Sequence, residues 1–286
     1  MKKLIVVLAS YISYILTMVS VVARDMALPV VPDSLRTPTE RAVYVADHFW
    51  DSMDWRDTTF TCDDEFLEQS AANFYSVVNL LDSLPASKAI GSMLDAASVD
   101  MTAYGKIADI SRSYLFDPES QVADDETYLA LADRLIADGK LGNTDMLRIA
   151  DAKRMAMLNR VGHPSTDFEY IDREGHRSTL SEALKRHPEN ILVFYDPDCH
   201  VCAELEERLM SADLGDTGVI MISPYGEQDG LWAQHAVTMP AGWIVGRPVS
   251  DDFEDDELYD LRSTPTVLII DSRGIVISKP PHHSVP

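Results

Sequence analysis

The first half of the chain carries apolar residues at helical spacing. Behind Pro38, Thr39 and Glu40, apolar positions recur three and four residues apart, at Ala42, Val43, Val45, Ala46 and Phe49. This periodicity predicts an amphipathic helix. Similar patterns predict helices over residues 65–84 and 126–136 and 144–159, and one or two helices over 87–115. No strand-like alternation occurs in this half, so we predict an all-α domain over residues 39–160, preceded by a linker at 24–38.

The pattern changes after Gly162, His163 and Pro164. Short β-branched and apolar runs predict strands at residues 168–171, 191–195, 219–223, 266–270 and 275–278. Helical patterns lie between them, at residues 178–186, 203–211 and 228–235, whereas 240–255 is predicted to be irregular. This alternation predicts an α/β domain on a central sheet over residues 165–279. Residues 280–286 are predicted to form a disordered tail.

Two cysteines, Cys199 and Cys202, lie between a predicted strand and a predicted helix. The exposed backbone N–H groups at a helix N-terminus favour a negative charge, and a thiolate there has a lowered pKa. With two residues between them, the cysteines can form a disulfide across the first helical turn. One can attack a foreign disulfide, and the other can then release the mixed disulfide.

Two other uses of this cysteine pair are less favoured. A zinc site needs about four ligands, and only His200, His282 and His283 are at hand, so we predict neither a metal nor any other cofactor. A structural disulfide across so short a loop would stabilise the fold little. Redox chemistry is the favoured interpretation.

Charge and composition argue against two kinds of binding partner. The 286 residues have a globular composition and a net charge of -23. So acidic a protein is not expected to bind nucleic acid or an anionic membrane surface.

The N-terminus has the pattern of an export signal. A basic start precedes a mostly apolar stretch over residues 4–22. The small residues at 21–23 offer a signal-peptidase cleavage site after Ala23. We predict a signal peptide over residues 1–23 and a periplasmic or secreted protein, with an uncleaved membrane anchor as the alternative. Paired cysteines can be disulfides in such a compartment. The third cysteine, Cys62, is then unpaired; we expect a buried or capped thiol, with a mixed disulfide to Cys199 as the alternative.

A second motif accompanies the cysteines. A predicted strand that leads into a tight hairpin begins with the sequence Ser263-Thr264-Pro265-Thr266. Together the two motifs resemble the thioredoxin fold, as found in exported bacterial thiol–disulfide oxidoreductases. The helical half resembles an uncharacterised domain that precedes such domains in exported proteins of Gram-negative bacteria. That resemblance rests on the segments 49–51, 55–57 and 114–120.

The resemblance implies roles for matching positions. Cys199 is the attacking thiolate, and Cys202 resolves the mixed disulfide. His200 is adjacent to Cys199 in the sequence and is expected either to tune that thiol or simply to be exposed. A cis bond before Pro265 exposes the backbone of Thr264, where an extended substrate pairs in strand fashion. The implied partners are protein thiols or disulfides and a redox partner protein, and a homodimer is a further expectation.

The chain also departs from the thioredoxin pattern. Asp198 stands where tryptophan is usual, and with Asp196 it is expected to raise the pKa of the Cys199 thiol. Val193 occupies the position of the usual buried acid, for which Glu204 or Asp196 are candidate substitutes. No counterpart of the last helix follows residue 279, so we expect the helical domain or a second subunit to cover the apolar face left behind.

These observations predict an exported thiol–disulfide oxidoreductase that acts through Cys199 and Cys202. Two alternatives remain open at this point. One is a redox-inactive binding or scaffolding protein with the same fold. The other is an isomerase, which would need a second subunit to form a cleft.

Overall fold

The structure, a computed structural model, describes residues 26–224, 229–250, 253 and 257–285. The predicted signal peptide lies outside these ranges. Within them, no helix is both long enough and apolar enough to cross a membrane.

The N-terminal half is helical, which confirms the predicted all-α domain. Its helices are α1 Pro38–His48, α2 Thr58–Thr61, α3 Asp64–Val78, α4 Ser83–Ala97, α5 Met101–Phe116, α6 Asp125–Asp138 and α7 Asn143–Ala156. Aspartates at the N-caps of α3, α5 and α6 accept hydrogen bonds from backbone N–H groups that have no partner inside the helix. An aromatic cluster around Phe49, Trp50 and Phe74 lies in the core of this domain.

The helix predicted over residues 65–84 ends earlier, and the next helix begins earlier than the predicted residue 87. Helix α3 ends at Val78 and α4 begins at Ser83. Pro85 explains the break, because proline is tolerated in the first turn of a helix and disrupts its interior. The apolar residues keep their helical spacing across this turn, so the spacing alone does not reveal it.

The C-terminal half forms one mixed sheet, which confirms the predicted α/β thioredoxin-like architecture. Its strands are β1 Glu169–Asp172, β2 Arg177–Thr179, β3 Glu189–Phe194, β4 Thr217–Ile222, β5 Ile244–Pro248, β6 Thr266–Asp271 and β7 Val276–Ser278. They lie in the order β2-β1-β5-β4-β3-β6-β7, with β3, β4 and β5 parallel. Helices α8 Leu180–Leu184, α9 His200–Ser211 and α10 Asp229–Ala236 connect them.

Strand β5 lies in the segment that was predicted to be irregular. It is short, and Gly246 and Pro248 obscure the strand pattern in its sequence. Pairing with β4 on one side and β1 on the other stabilises it. The strand therefore depends on its neighbours and not on its own composition.

Each face of the sheet has its own apolar core. One face, with Leu192, Phe194 and Leu268, packs against α8 and against Phe253 and Tyr259 from the loop before β6. The other face packs against α9 and α10. Its cluster includes Val193, Tyr195, Cys202, Leu205, Met221, Trp232, Val267 and Val285.

The C-terminal residues correct one expectation. Residues His282–Ser284 form a 3-10 helix, and Val285 is only 4% exposed within the cluster that contains Leu205 and Val267. The predicted disordered tail is therefore wrong, because this valine anchors the end of the chain on the sheet. At the β6–β7 edge of the sheet, Val267 and Ile277 line a cavity together with Leu115 and Phe116 of the helical domain, so that domain lies beside the part of the sheet where its cover was expected.

Arg173, in the turn after β1, fixes the segment between α10 and β5. Its guanidinium donates hydrogen bonds of 2.8 to 3.0 Å to the carbonyl oxygens of Ala236, Met239, Pro240 and Trp243. This segment follows His235, a residue of the site described below.

We predict that Arg173→Met lowers the free energy of unfolding by about 2 to 4 kcal/mol, because it leaves these carbonyl groups without their charged donor. Urea denaturation followed by circular dichroism measures the change. Arg273→Met is the matched control, since Arg273 pairs with Asp271 at the surface and its loss should cost less than about 1 kcal/mol. Equal losses in the two variants would contradict the structural role of Arg173.

Candidate functional site

Cys199 and Cys202 lie where β3 ends and α9 begins. Cys199 is the N-cap of α9, and its Sγ accepts a hydrogen bond of 3.2 Å from the backbone N–H of Cys202. Cys199 is partly exposed, whereas Cys202 is 1% exposed. The pair therefore offers one accessible sulfur, with a second sulfur directly behind it.

The Thr264–Pro265 loop faces the accessible sulfur. The peptide bond between these residues is cis, and the Sγ of Cys199 lies 3.6 Å from the carbonyl oxygen of Thr264. Strand pairing explains this proximity. Strands β3 and β6 are antiparallel neighbours with Phe194 opposite Thr266, so the residues after β3 meet the residues before β6.

The buried thiol resists ionisation. Burial raises the pKa of Cys202, and hydrogen bonding to Cys199 and the negative charge of Glu206 raise it further. Cys202 is therefore a neutral thiol at neutral pH. To act as a nucleophile it must give its proton to another group.

A hydrogen-bonded pair of an acid and an imidazole lies on the side of α9 that carries this thiol. Glu206 is four residues after Cys202, on the same face of α9. Its Oε2 lies 3.0 Å from Nε2 of His235, which α10 supplies. Neither the Oε1 of Glu206 nor the Nδ1 of His235 has a hydrogen-bond partner among the described residues.

Sequence reasoning missed Glu206. The candidate substitutes for a buried acid were Glu204 and Asp196, but Glu204 is exposed, and Asp196 accepts a hydrogen bond of 2.9 Å from the N–H of Asp198. The available signal was the position of Glu206 beside Leu205 and Leu209, on the apolar side of the helix. An acid there has to be buried.

His200 is exposed, as one of the two expectations for it stated. Its side chain is 88% exposed, and its Nε2 lies 3.3 Å from the Oε1 of Glu204, one turn along α9. Among the described residues the imidazole pairs with Glu204 and not with Cys199.

Cys62 is separate from the site. It is the C-cap of α2 in the helical domain and is exposed, so of the expected buried or capped thiol the buried form is not what the structure shows. All three cysteines are thiols in the structure, and Cys62 is not joined to Cys199.

Fold and site together define the class. A mixed sheet with two cysteines at a strand–helix junction, facing a Thr-Pro loop, is the arrangement of a thioredoxin-like protein, and residues 177–280 match the thioredoxin-like domain. The rest of the chain assigns the family. Residues 10–159 match the domain of unknown function DUF5106, and the chain belongs to this family.

The chain is also similar to several solved structures from Bacteroides species. The chain is similar to a thioredoxin-like protein from Bacteroides caccae, with 26% identity and a TM-score of 0.80 over 89% of this chain and 93% of that one. A conserved protein of unknown function from Bacteroides fragilis matches 42% of this chain and 90% of its own, with 35% identity and a TM-score of 0.38. The thioredoxin domain of a thiol-disulfide oxidoreductase from Bacteroides vulgatus matches 42% of this chain and 87% of its own, with 17% identity and a TM-score of 0.37. The comparison with curated proteins found no match.

Proposed function

We propose that this protein is a thiol–disulfide oxidoreductase in which Cys199 and Cys202 exchange electrons with protein thiols and disulfides. The observation that carries the proposal is the position of Cys199. Its accessible sulfur lies beside the Thr264 backbone, with a buried second thiol behind it.

The reaction uses two steps of thiol–disulfide exchange. In the first, the thiolate of Cys199 attacks one sulfur of a substrate disulfide; a mixed disulfide forms, and the other substrate sulfur leaves as a thiolate. In the second, the thiolate of Cys202 attacks the Sγ of Cys199 and displaces the remaining substrate sulfur. The substrate disulfide gains two electrons, and the two protein thiols become a disulfide. In the reverse direction the same steps oxidise a substrate dithiol.

The second step requires a proton acceptor, because Cys202 is held as a neutral thiol. The Glu206–His235 pair is the group that we assign to this role. It is buried on the side of α9 that carries Cys202, and one oxygen of the carboxylate is not committed to another partner in the described chain.

This pair also favours redox chemistry over a scaffolding role. Burying a carboxylate costs free energy, and an apolar residue at this position would pack without that cost. A binding protein that never uses Cys202 as a nucleophile has no need for Glu206.

The proposed setting of the reaction rests on the N-terminal sequence pattern. The N-terminal signal pattern supports action in the periplasm or outside the cell, with an uncleaved anchor as the alternative. A redox partner protein restores the starting oxidation state. Dimer formation remains a prediction.

The direct test is the reduction of insulin by dithiothreitol, followed by turbidity. The wild-type protein at micromolar concentration should shorten the lag before precipitation, because its dithiol form reduces the insulin disulfides faster than the small thiol does. The same preparation, equilibrated in glutathione buffers and alkylated, should change by two alkyl groups between its oxidised and reduced forms. If the lag is unchanged and Cys199 and Cys202 stay alkylated in every buffer, the proposal is wrong.

A further inference from the structure

A cavity of about 350 Å³ lies between the two domains. The helical domain contributes Leu115, Phe116 and Ala123 to its wall, and the thioredoxin-like domain contributes Ser263 and Pro265. These last two residues flank Thr264, whose carbonyl oxygen contacts Cys199. The cavity therefore borders the loop that holds the substrate in the proposed function.

The helical domain is tied to this loop by specific contacts. The guanidinium carbon of Arg262 lies 3.3 Å from the ring centroid of Phe116, and its Nη1 donates a hydrogen bond of 2.6 Å to the carbonyl oxygen of Phe116. On the other side of the cavity, Lys279 forms an ion pair with Asp125. These contacts hold the part of the helical domain that contains Phe116 beside the Thr264–Pro265 loop.

The charged residues around the cavity are already paired with one another. Three ion pairs and one helix cap account for the charged residues that line it within the described chain: Arg262–Asp260, Lys279–Asp125, Arg160–Glu126, and Asp124 with the N–H of Thr127. The remaining wall is mainly apolar, with Phe116, Ile277 and Pro281 among its residues. Such a cavity suits an uncharged, apolar side chain, because a charged one would be desolvated without a new partner.

The position of the cavity also decides the kind of ligand. Cys199 does not line it, so a ligand that occupies the cavity and reaches the sulfur must pass along Thr264. An extended polypeptide does this, since each residue advances the chain by about 3.3 Å and its backbone pairs with an exposed edge. A small disulfide would reach only the sulfur.

We propose that this interdomain cavity binds an apolar side chain of an extended polypeptide substrate, close in sequence to the cysteine that reacts with Cys199. The inference rests on the proposed function. It makes the helical domain one wall of the substrate site, and it names the substrate class as unfolded or extended polypeptides with an apolar residue near a cysteine.

Ala123→Trp tests this inference, because Ala123 is exposed at the cavity and its enlargement fills the space without removing a core contact. Ala137→Trp, on the exposed side of α6, is the matched control. Two substrates are compared: a peptide disulfide with phenylalanine two residues from its cysteine, and bis(2-hydroxyethyl) disulfide. In Ala123→Trp the ratio of the peptide rate to the small-disulfide rate should fall by at least roughly 10-fold, which is the lower end of the effect of one missing methylene in an apolar pocket. In Ala137→Trp the ratio should equal that of the wild type.

The outcomes separate the two proposals. If the wild-type protein reacts with neither disulfide, the proposed function fails. If it reacts with both and the two tryptophan variants have equal ratios, the oxidoreductase assignment stands and the docking inference is wrong.

A cross-linking experiment gives a second readout. A peptide that carries benzoylphenylalanine two residues from its cysteine is trapped on Cys199 in the Cys202→Ser variant and irradiated. Cross-links should map to residues 115–126. Cross-links confined to the thioredoxin-like domain, or to a second copy of the chain, would overturn the inference.

Discussion

The Cys202→Ser variant will accumulate a covalent adduct with its substrate instead of turning it over. Cys199 remains accessible and can still attack a disulfide, but a serine hydroxyl cannot displace the substrate sulfur from the mixed disulfide. Insulin reduction should fall to the rate seen without protein. The adduct should appear on non-reducing gels and by mass spectrometry, and it should disappear when dithiothreitol is added.

The other two cysteines supply the controls. Cys199→Ser should form no adduct and show no turnover, because the remaining thiol of the pair is buried and neutral. Cys62→Ser should behave like the wild type, since Cys62 lies in the helical domain at the end of α2. An adduct that forms in Cys199→Ser, or one attached to Cys62, would show that the attacking sulfur has been misassigned.

Glu206→Gln should slow the release of the mixed disulfide, by a factor on the order of 100 if the carboxylate is the base that takes the Cys202 proton. The same substitution should lower the pKa of Cys202, because the negative charge of Glu206 is one of the causes that raise it. The two expected effects have opposite consequences. A lower pKa by itself gives more thiolate at neutral pH and a faster release.

A slower release of the mixed disulfide in Glu206→Gln would therefore show that Glu206 acts as a base, and a faster release would show that it acts only through its charge. The release is followed by quenched flow on a preformed mixed disulfide between pH 6 and 10, and the pKa is taken from the pH dependence of alkylation. Glu204→Gln is the matched control, since Glu204 lies on the exposed side of the same helix. A faster release in Glu206→Gln would leave Glu206 with an electrostatic role only.

Local sequence patterns were sufficient for the helical domain. Its helices follow from apolar spacing and aspartate caps, such as Asp63 and Asp100, which act within a few residues. The misplaced boundary between α3 and α4 required attention to Pro85 and not to apolar spacing, and the short helix α2 was not predicted. Helices depend on near neighbours along the chain, so the sequence reports them directly.

The sheet depended on distant partners. The segment of β5 has a weak strand pattern and becomes a strand only between β1 and β4. Likewise, a single valine near the end of the chain, Val285, packs on the sheet although the residues around it look like a tail. Side-chain packing across the fold, and not local preference, decides both cases.

The sequence by itself determined the reactive groups of this protein: two cysteines at a strand–helix junction and a Thr-Pro motif. Each can be recognised from a few consecutive residues. The tertiary structure decided what surrounds them. Pairing of β3 with β6 brings Cys199 to Thr264, α10 brings His235 to Glu206 behind Cys202, and the helical domain places Phe116 at the cavity beside Pro265. These groups lie from 29 to 149 residues apart in the chain, and only the packing of the folded domains makes them neighbours.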